Sequence, residues 1–123
     1  MKNTDIVDRT YNFALRIIKL VSSLPHNKVC EVIGGQLLRS GTSVGANMEE
    51  AQAAYSKKEF CNKIGISHKE ARESNYWLRL LKDSEQIKVE LIRNIIVESE
   101  EIIKILFSIG KTAKVKGVTT KSG

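Results

Sequence analysis

The stretch VIGGQLLRSGTSVGANMEEAQAAY, residues 32–55, decides the fold. Gly41, Thr42 and Ser43 at its centre are residues of turns and breaks. Yet Ile33, Leu37, Val44, Met48, Ala51 and Tyr55 recur at steps of three and four on both sides of them. One apolar register therefore passes through Ser40-Gly41-Thr42-Ser43, which argues for a single helix rather than two unrelated ones. Gly41 weakens or kinks it, since a glycine inside a helix costs about 1 kcal/mol against alanine.

Outward from this segment the same period continues. Upstream, a helix begins near Asp5, with Asn3 or Thr4 as its N-cap. It turns Ile6, Phe13, Ile17, Leu20 and Leu24 to one side and ends before Pro25, whose ring disfavours helical geometry in the preceding residue. Downstream, Ser56-Lys57-Lys58-Glu59 has the form of a capping box and opens a third helix carrying Phe60, Ile64, Ser67, Ala71, Leu78 and Leu81. The pattern breaks near Asp83-Ser84-Glu85. A fourth helix then runs from about Lys88 to Gly110, with Leu91, Ile92, Ile95, Ile96, Ile102, Ile103, Leu106 and Ile109 inward. Four helices with short links predict an all-α fold, an antiparallel up-down-up-down four-helix bundle. It occupies residues 1–110, followed by a basic, flexible C-terminal tail over 111–123. Tyr11, Tyr55, Tyr76, Trp77, Val97, Ile105 and Phe107 fall outside the main stripes, and so much apolar surface favours self-association.

Composition agrees. The 123 residues suffice for one domain, and 41% hydrophobic with 28% charged residues is usual for a folded chain. One Pro and 8 Gly are too few for a turn-rich β architecture. No apolar run approaches the roughly 18 residues of a membrane span, and charged residues interrupt the first 23 positions as no secretory signal would allow. A cytoplasmic protein with no membrane association is expected. Cys30 and Cys61 lie 31 residues apart without metal-ligand or redox spacing, and read as packed thiols.

The net charge is +6, of which 110–123 supply +4 through Lys111, Lys114, Lys116 and Lys121, leaving the body at only +2. A basic balance of this kind points to a polyanion partner, with Lys57, Lys58, Lys63 and the tail lysines Lys111, Lys114 and Lys116 as candidate phosphate contacts.

A polar stripe runs beside the core. Arg39, Ser43, Asn47 and Glu50 share one face of the second helix. Glu59, Lys63, Glu70, Glu73 and Trp77 make a similar line on the third, so antiparallel packing brings Arg39 to Glu70 or Glu73. Di-metal bundles need a Glu-x-x-His pair on each of two helices, whereas His68 has Gly65 three residues before it. No positioned nucleophile or second base accompanies His68 either. The stripe reads as a half-buried network fixing helix register or a subunit contact, with no catalytic centre, no metal and no cofactor. Gly41 and Gly45 form a GxxxG that permits close backbone approach, without phosphate-loop spacing.

Arg39-Ser40-Gly41-Thr42-Ser43-Val44-Gly45-Ala46-Asn47, then Glu50-Ala51, Ser56 and Glu59-Phe60, then Lys69-Glu70-Ala71-Arg72-Glu73 and Tyr76-Trp77-Leu78, resemble the 23S rRNA-intervening-sequence protein family, also called four-helix-bundle or S23 proteins. The likeness spans roughly residues 5–110, with Glu49 standing where a small residue is more usual. It implies a bacterial four-helix bundle that assembles as a homopentameric ring. It also implies a genetic association, in some bacteria, with insertions inside large-subunit ribosomal RNA genes. No molecular activity is established for that family. A more distant look-alike, the accessory protein of diversity-generating retroelements, is a basic pentameric bundle that binds nucleic acid and a reverse transcriptase. The expectation is a non-enzymatic homo-oligomer that binds RNA or DNA non-specifically through a basic surface. The alternative is a protein–protein adaptor using exposed aromatics such as Tyr76 and Trp77.

Overall fold

The computed structural model describes the backbone of residues 3–122 and the side chains of residues 5–114. Its four helices are α1 (Asn3–Ser22), α2 (Lys28–Gln52), α3 (Lys57–Asp83) and α4 (Val89–Ser122), and no strand occurs among the described residues.

Local chemistry sets the ends. Asn27, in extended conformation, accepts from the Cys30 amide at 2.8 Å and starts α2; this cap precedes the apolar stripe, so the helix begins earlier than its hydrophobic register suggests. Ser56 Oγ accepts from the Glu59 amide at 3.1 Å. The reciprocal half of the box is shifted by one residue: Glu59 reaches back to the amide of Tyr55, at 2.9 Å, rather than to that of Ser56. Between α3 and α4 the chain turns at Glu85, whose φ of 59° lies in the left-handed region.

The helices pack antiparallel in sequence order. Gly41 of α2 meets Ile17 of α1, and Gly34 meets Leu24. Ser67 of α3 bonds the Val44 carbonyl, while Ser74, farther along α3, bonds Ser40, nearer the start of α2. Asn75 of α3 bonds Ser99 of α4, and His68 meets Phe107. In each pair the number rises on one helix as it falls on the other. α1 and α4 close the ring along its most sparing seam, where Arg9 grips Glu98 with two hydrogen bonds of 2.7 and 2.8 Å.

α2 is helical throughout Ser40–Ser43, and the reason is packing. A Cβ on Gly41 would lie 2.8 and 2.9 Å from the two γ-carbons of Ile17, and one on Gly45 would lie 3.1 Å from the Thr10 carbonyl oxygen. The two glycines let α1 approach. The core holds Ile6, Phe13, Ile17, Leu37, Val44, Met48, Ile64, Leu78, Leu81, Ile92, Ile102 and Leu106, all fully buried. Two residues assigned inward by period face water. Tyr55 lies beyond the last residue of α2, where the register no longer applies, and Leu91 sits in the first turn of α4.

Among the described residues the buried hydroxyls are all satisfied: Ser67 donates to the Val44 carbonyl at 2.7 Å, and the Ser40 and Ser74 hydroxyls pair at 2.9 Å. Because each polar contact has one partner position, they pin α3 against α2 in a single register. The helix of the fourth segment does not stop at Gly110, where a tail was expected to begin; its backbone continues through Lys111 and Lys114 to Ser122. The side chains of Lys116 and Lys121 lie outside the described residues.

Candidate nucleic-acid interface

Two polar faces flank α3, one toward α2 and the other toward α4. On the α2 side the expected stripe forms in part. Arg39 Nη1 bonds Glu70 at 3.1 Å, its Nη2 bonds Glu73, and Trp77 Nε1 donates to the same Glu73 carboxylate at 3.0 Å. The indole N–H, with Arg39 beside it, holds the Glu73 carboxyl below its usual range against the opposing effect of burial. Ser43 and Asn47 do not reach across. Ser43 donates to the Arg39 carbonyl and Asn47 to the Ser43 carbonyl, both within α2.

Glu50 is paired with Lys63 at 2.7 Å. Lys63 therefore belongs to this network, engaged by a carboxylate on the α2 side of α3. Each carboxylate of the cluster that bonds a cation or an indole has its charge matched by a neighbour, an arrangement that fixes register. No group of three or more metal-ligating side chains occurs among the described residues. Trp77 is half-buried against the core with its N–H bonded to Glu73.

The α4 side differs in sign. Lys58, Gly65, Lys69, Arg72, Tyr76 and Arg79 follow one another at steps of three, four and seven along α3, a line of about 30 Å at 1.5 Å per residue. Lys58 and Lys69 line a shallow hollow with Cys61, Gly65 and Lys114. A second hollow shares Cys61, Gly65 and Lys114, and adds His68, Phe107 and Lys111. A third lies between Arg72, Tyr76, Arg79 and Ile103. Glu73 borders that third hollow, but its carboxylate is held by Arg39 and Trp77. Lys58, Lys69, Arg72, Lys111 and Lys114 make no ion pair among the described residues. By helical phase Glu100 of α4 falls toward the Tyr76 end, so unopposed charge concentrates between Lys58 and Lys69 on α3 and Lys111 and Lys114 on α4.

Aromatic rings interleave with these cations. Phe107 is 61% exposed and its ring lies 6.0 Å from that of His68. Burial, with Arg72 nearby, holds the His68 imidazole below its usual range, so the ring is neutral at pH 7. Tyr76 is 46% exposed, with the Arg79 guanidinium 5.9 Å from its ring centre and Trp77 edge-on at 5.0 Å. Of the expected lysines, Lys58, Lys111 and Lys114 fall on this face, and Lys57 stands exposed at the first turn of α3. Lys69, Arg72, Arg79, His68 and Phe107 were not among the residues expected to bind, and Tyr76 was expected only at a protein–protein contact. Their signal was present in the three- and four-residue spacing of cations along α3.

Among the described residues no helix is long and apolar enough to cross a membrane. The family model for the 23S rRNA-intervening sequence protein matches residues 2–108. No curated protein matches the chain. Among solved structures, a crystal structure of a protein of unknown function from the S23 ribosomal protein family of Bacteroides thetaiotaomicron is similar. It shares 44% identity, covers 90% of this chain and 99% of its own, and superposes with a TM-score of 0.83. Lys111 and Lys114 lie beyond the matched residues, whereas Lys58, Lys69 and Arg72 lie within them. The chain belongs to the 23S rRNA-intervening sequence protein family.

Proposed function

We propose that this protein is a non-enzymatic, homo-oligomeric bundle of the bacterial cytoplasm that binds RNA or DNA without sequence preference through the α3–α4 face. The observation that carries the reading is the segregation of charge on α3. Its carboxylates Glu70 and Glu73 are engaged on the α2 side, while Lys58, Lys69 and Arg72 face α4 and solvent with no ion pair among the described residues. Cations left unpaired along a line are free to replace the counterions of a phosphate chain. Self-association is supported by Tyr11, Leu15 and Ile18, three large exposed apolar residues at i, i+4 and i+7 on the outward side of α1. The homopentamer is the assembly that the family resemblance implies. An adaptor role finds less support, because Trp77 is turned inward and tied to Glu73.

Light scattering with and without an RNA oligonucleotide at low salt tests assembly and partner together. The reading expects a molar mass that is a multiple of 13.8 kDa and that rises when RNA is added. A mass unchanged by RNA at low salt contradicts the nucleic-acid reading, and a monomer contradicts the oligomer.

A further inference from the structure

We propose that the ligand of the α3–α4 face is a single strand, whose bases stack on the exposed rings of Tyr76 and Phe107 while its phosphates follow the cations of α3. This rests on the nucleic-acid reading above and specifies which form of nucleic acid the face selects.

Charge alone does not distinguish a duplex from a single strand, because both present phosphates. The rings do. Tyr76 and Phe107 belong to one seam and are respectively 46% and 61% exposed, although each has neighbours that hold it in place. Tyr76 is fixed by Arg79 and by the edge of Trp77. Phe107 is backed by the His68 ring, whose centre lies 6.0 Å away. A large ring kept rigid and half-open is suited to receive another flat ring, since little freedom is lost when it is covered.

The spacing also fits an extended chain. His68, opposite Phe107, and Tyr76 are eight residues apart on α3, about 12 Å along the axis, against a rise of about 3.4 Å between bases stacked in a duplex strand. The two rings therefore serve separate bases with a gap between them. Arg72 and Lys69 lie in that gap, where a backbone phosphate would pass. A duplex keeps its bases stacked on one another and would leave both rings uncovered.

The test compares a single-stranded oligonucleotide of about twelve nucleotides, in ribo and deoxyribo forms, with the duplex of the same sequence. A 2-aminopurine placed centrally reports stacking by its quenching. Wild-type protein is expected to bind both single strands more tightly than duplex and to quench the probe. Tyr76→Ala and Phe107→Ala are each expected to weaken single-strand binding roughly 5- to 150-fold while leaving duplex binding unchanged. Phe107→Trp, which keeps a ring, is expected to retain it. Because both side chains are largely exposed, circular dichroism should show the variants folded; if an alanine variant is not, Phe107→Leu and Tyr76→Leu replace the rings with apolar chains. Equal affinity for duplex and single strand, with no effect of ring removal, overturns this inference and leaves the electrostatic reading standing. Absence of binding to either form at low salt overturns both.

Discussion

Substituting alanine for two glycines only six positions apart should move stability in opposite directions. At Gly35 nothing lies within 4 Å of the Cβ that alanine would add. The change therefore brings only the helical advantage of alanine, about 1 kcal/mol. At Gly41 the same advantage meets the γ-carbons of Ile17 at 2.8 and 2.9 Å and its Cβ at 3.2 Å. These atoms form the root of a fully buried, β-branched side chain with one favoured rotamer in a helix, so it cannot swing aside. Overpacking of this kind costs about 1–3 kcal/mol, and the stiff neighbour argues for the upper end.

Gly41→Ala is thus expected to destabilise by about 2 kcal/mol net, and Gly35→Ala to stabilise by about 1. At about 4 °C per kcal/mol for a chain of this size, the two melting temperatures should differ by roughly 12 °C. Thermal unfolding followed by helical circular dichroism measures both, at one protein concentration because association shifts the midpoint. If Gly41→Ala melts at or above wild type, the glycine is not there for close approach, and the packing of α2 on α1 has been misjudged.

Two further changes probe polar contacts and a third probes the backbone. Ser67→Ala removes a buried bond to the Val44 carbonyl and should cost about 1 kcal/mol in denaturant unfolding, with the fold unchanged. Trp77→Phe deletes the chief group lowering the Glu73 pKa, so a carboxyl NMR titration should show that pKa rise. In wild type the stabilisation linked to Glu73 is complete above its ordinary value near 4.5 and is lost as pH falls through its lowered one; the variant, less lowered, should have less of that stabilisation and lose it at a higher pH. Glu85→Gly relieves a non-glycine residue at φ 59° and should raise the melting temperature by a few degrees, about the value of 1 kcal/mol.

Much of the bundle was legible because its period is strong. The second helix could be followed through Ser40–Ser43 because Leu37 and Val44 keep one phase across the glycine. Its start was not, since the Asn27 cap acts through a hydrogen bond accepted from the Cys30 amide and the first turn holds only the small apolar Cys30 inward. The pairing of Arg39 with α3 was readable from two polar lines beside an antiparallel seam.

The basic face was seen only in part, with Lys58, Lys111 and Lys114 expected and Lys69 and Arg72 not, for a different reason. Residues 56–85 carry seven bases and five acids, which average to almost nothing along the chain. Folded into a helix, Glu70 and Glu73 engage Arg39 of α2, while Lys58, Lys69 and Arg72 line the opposite side. Charge summed by window hides what charge sorted by face reveals. The fourth helix likewise outran its predicted end, because a stretch of Gly, Lys and Thr reads as a tail although its backbone remains helical to Ser122.

The salt dependence of single-strand binding tests the central claim most directly. Of the six cations that line the face, Arg79 donates to Asn75 Oδ1 at 2.8 Å, which leaves five without a side-chain partner among the described residues: Lys58, Lys69, Arg72, Lys111 and Lys114. Engaged together on a single strand they predict a slope of log affinity against log salt of about −3.5, or roughly a 130-fold loss between about 50 and 200 mM. Replacing Lys58, Lys69 and Lys114 by glutamine should reduce the slope to about −1.4, whereas Lys63→Gln, on the α2 side and paired with Glu50, should leave it unchanged. A slope indifferent to the three lysines, or equally sensitive to Lys63, would contradict the assignment of this face.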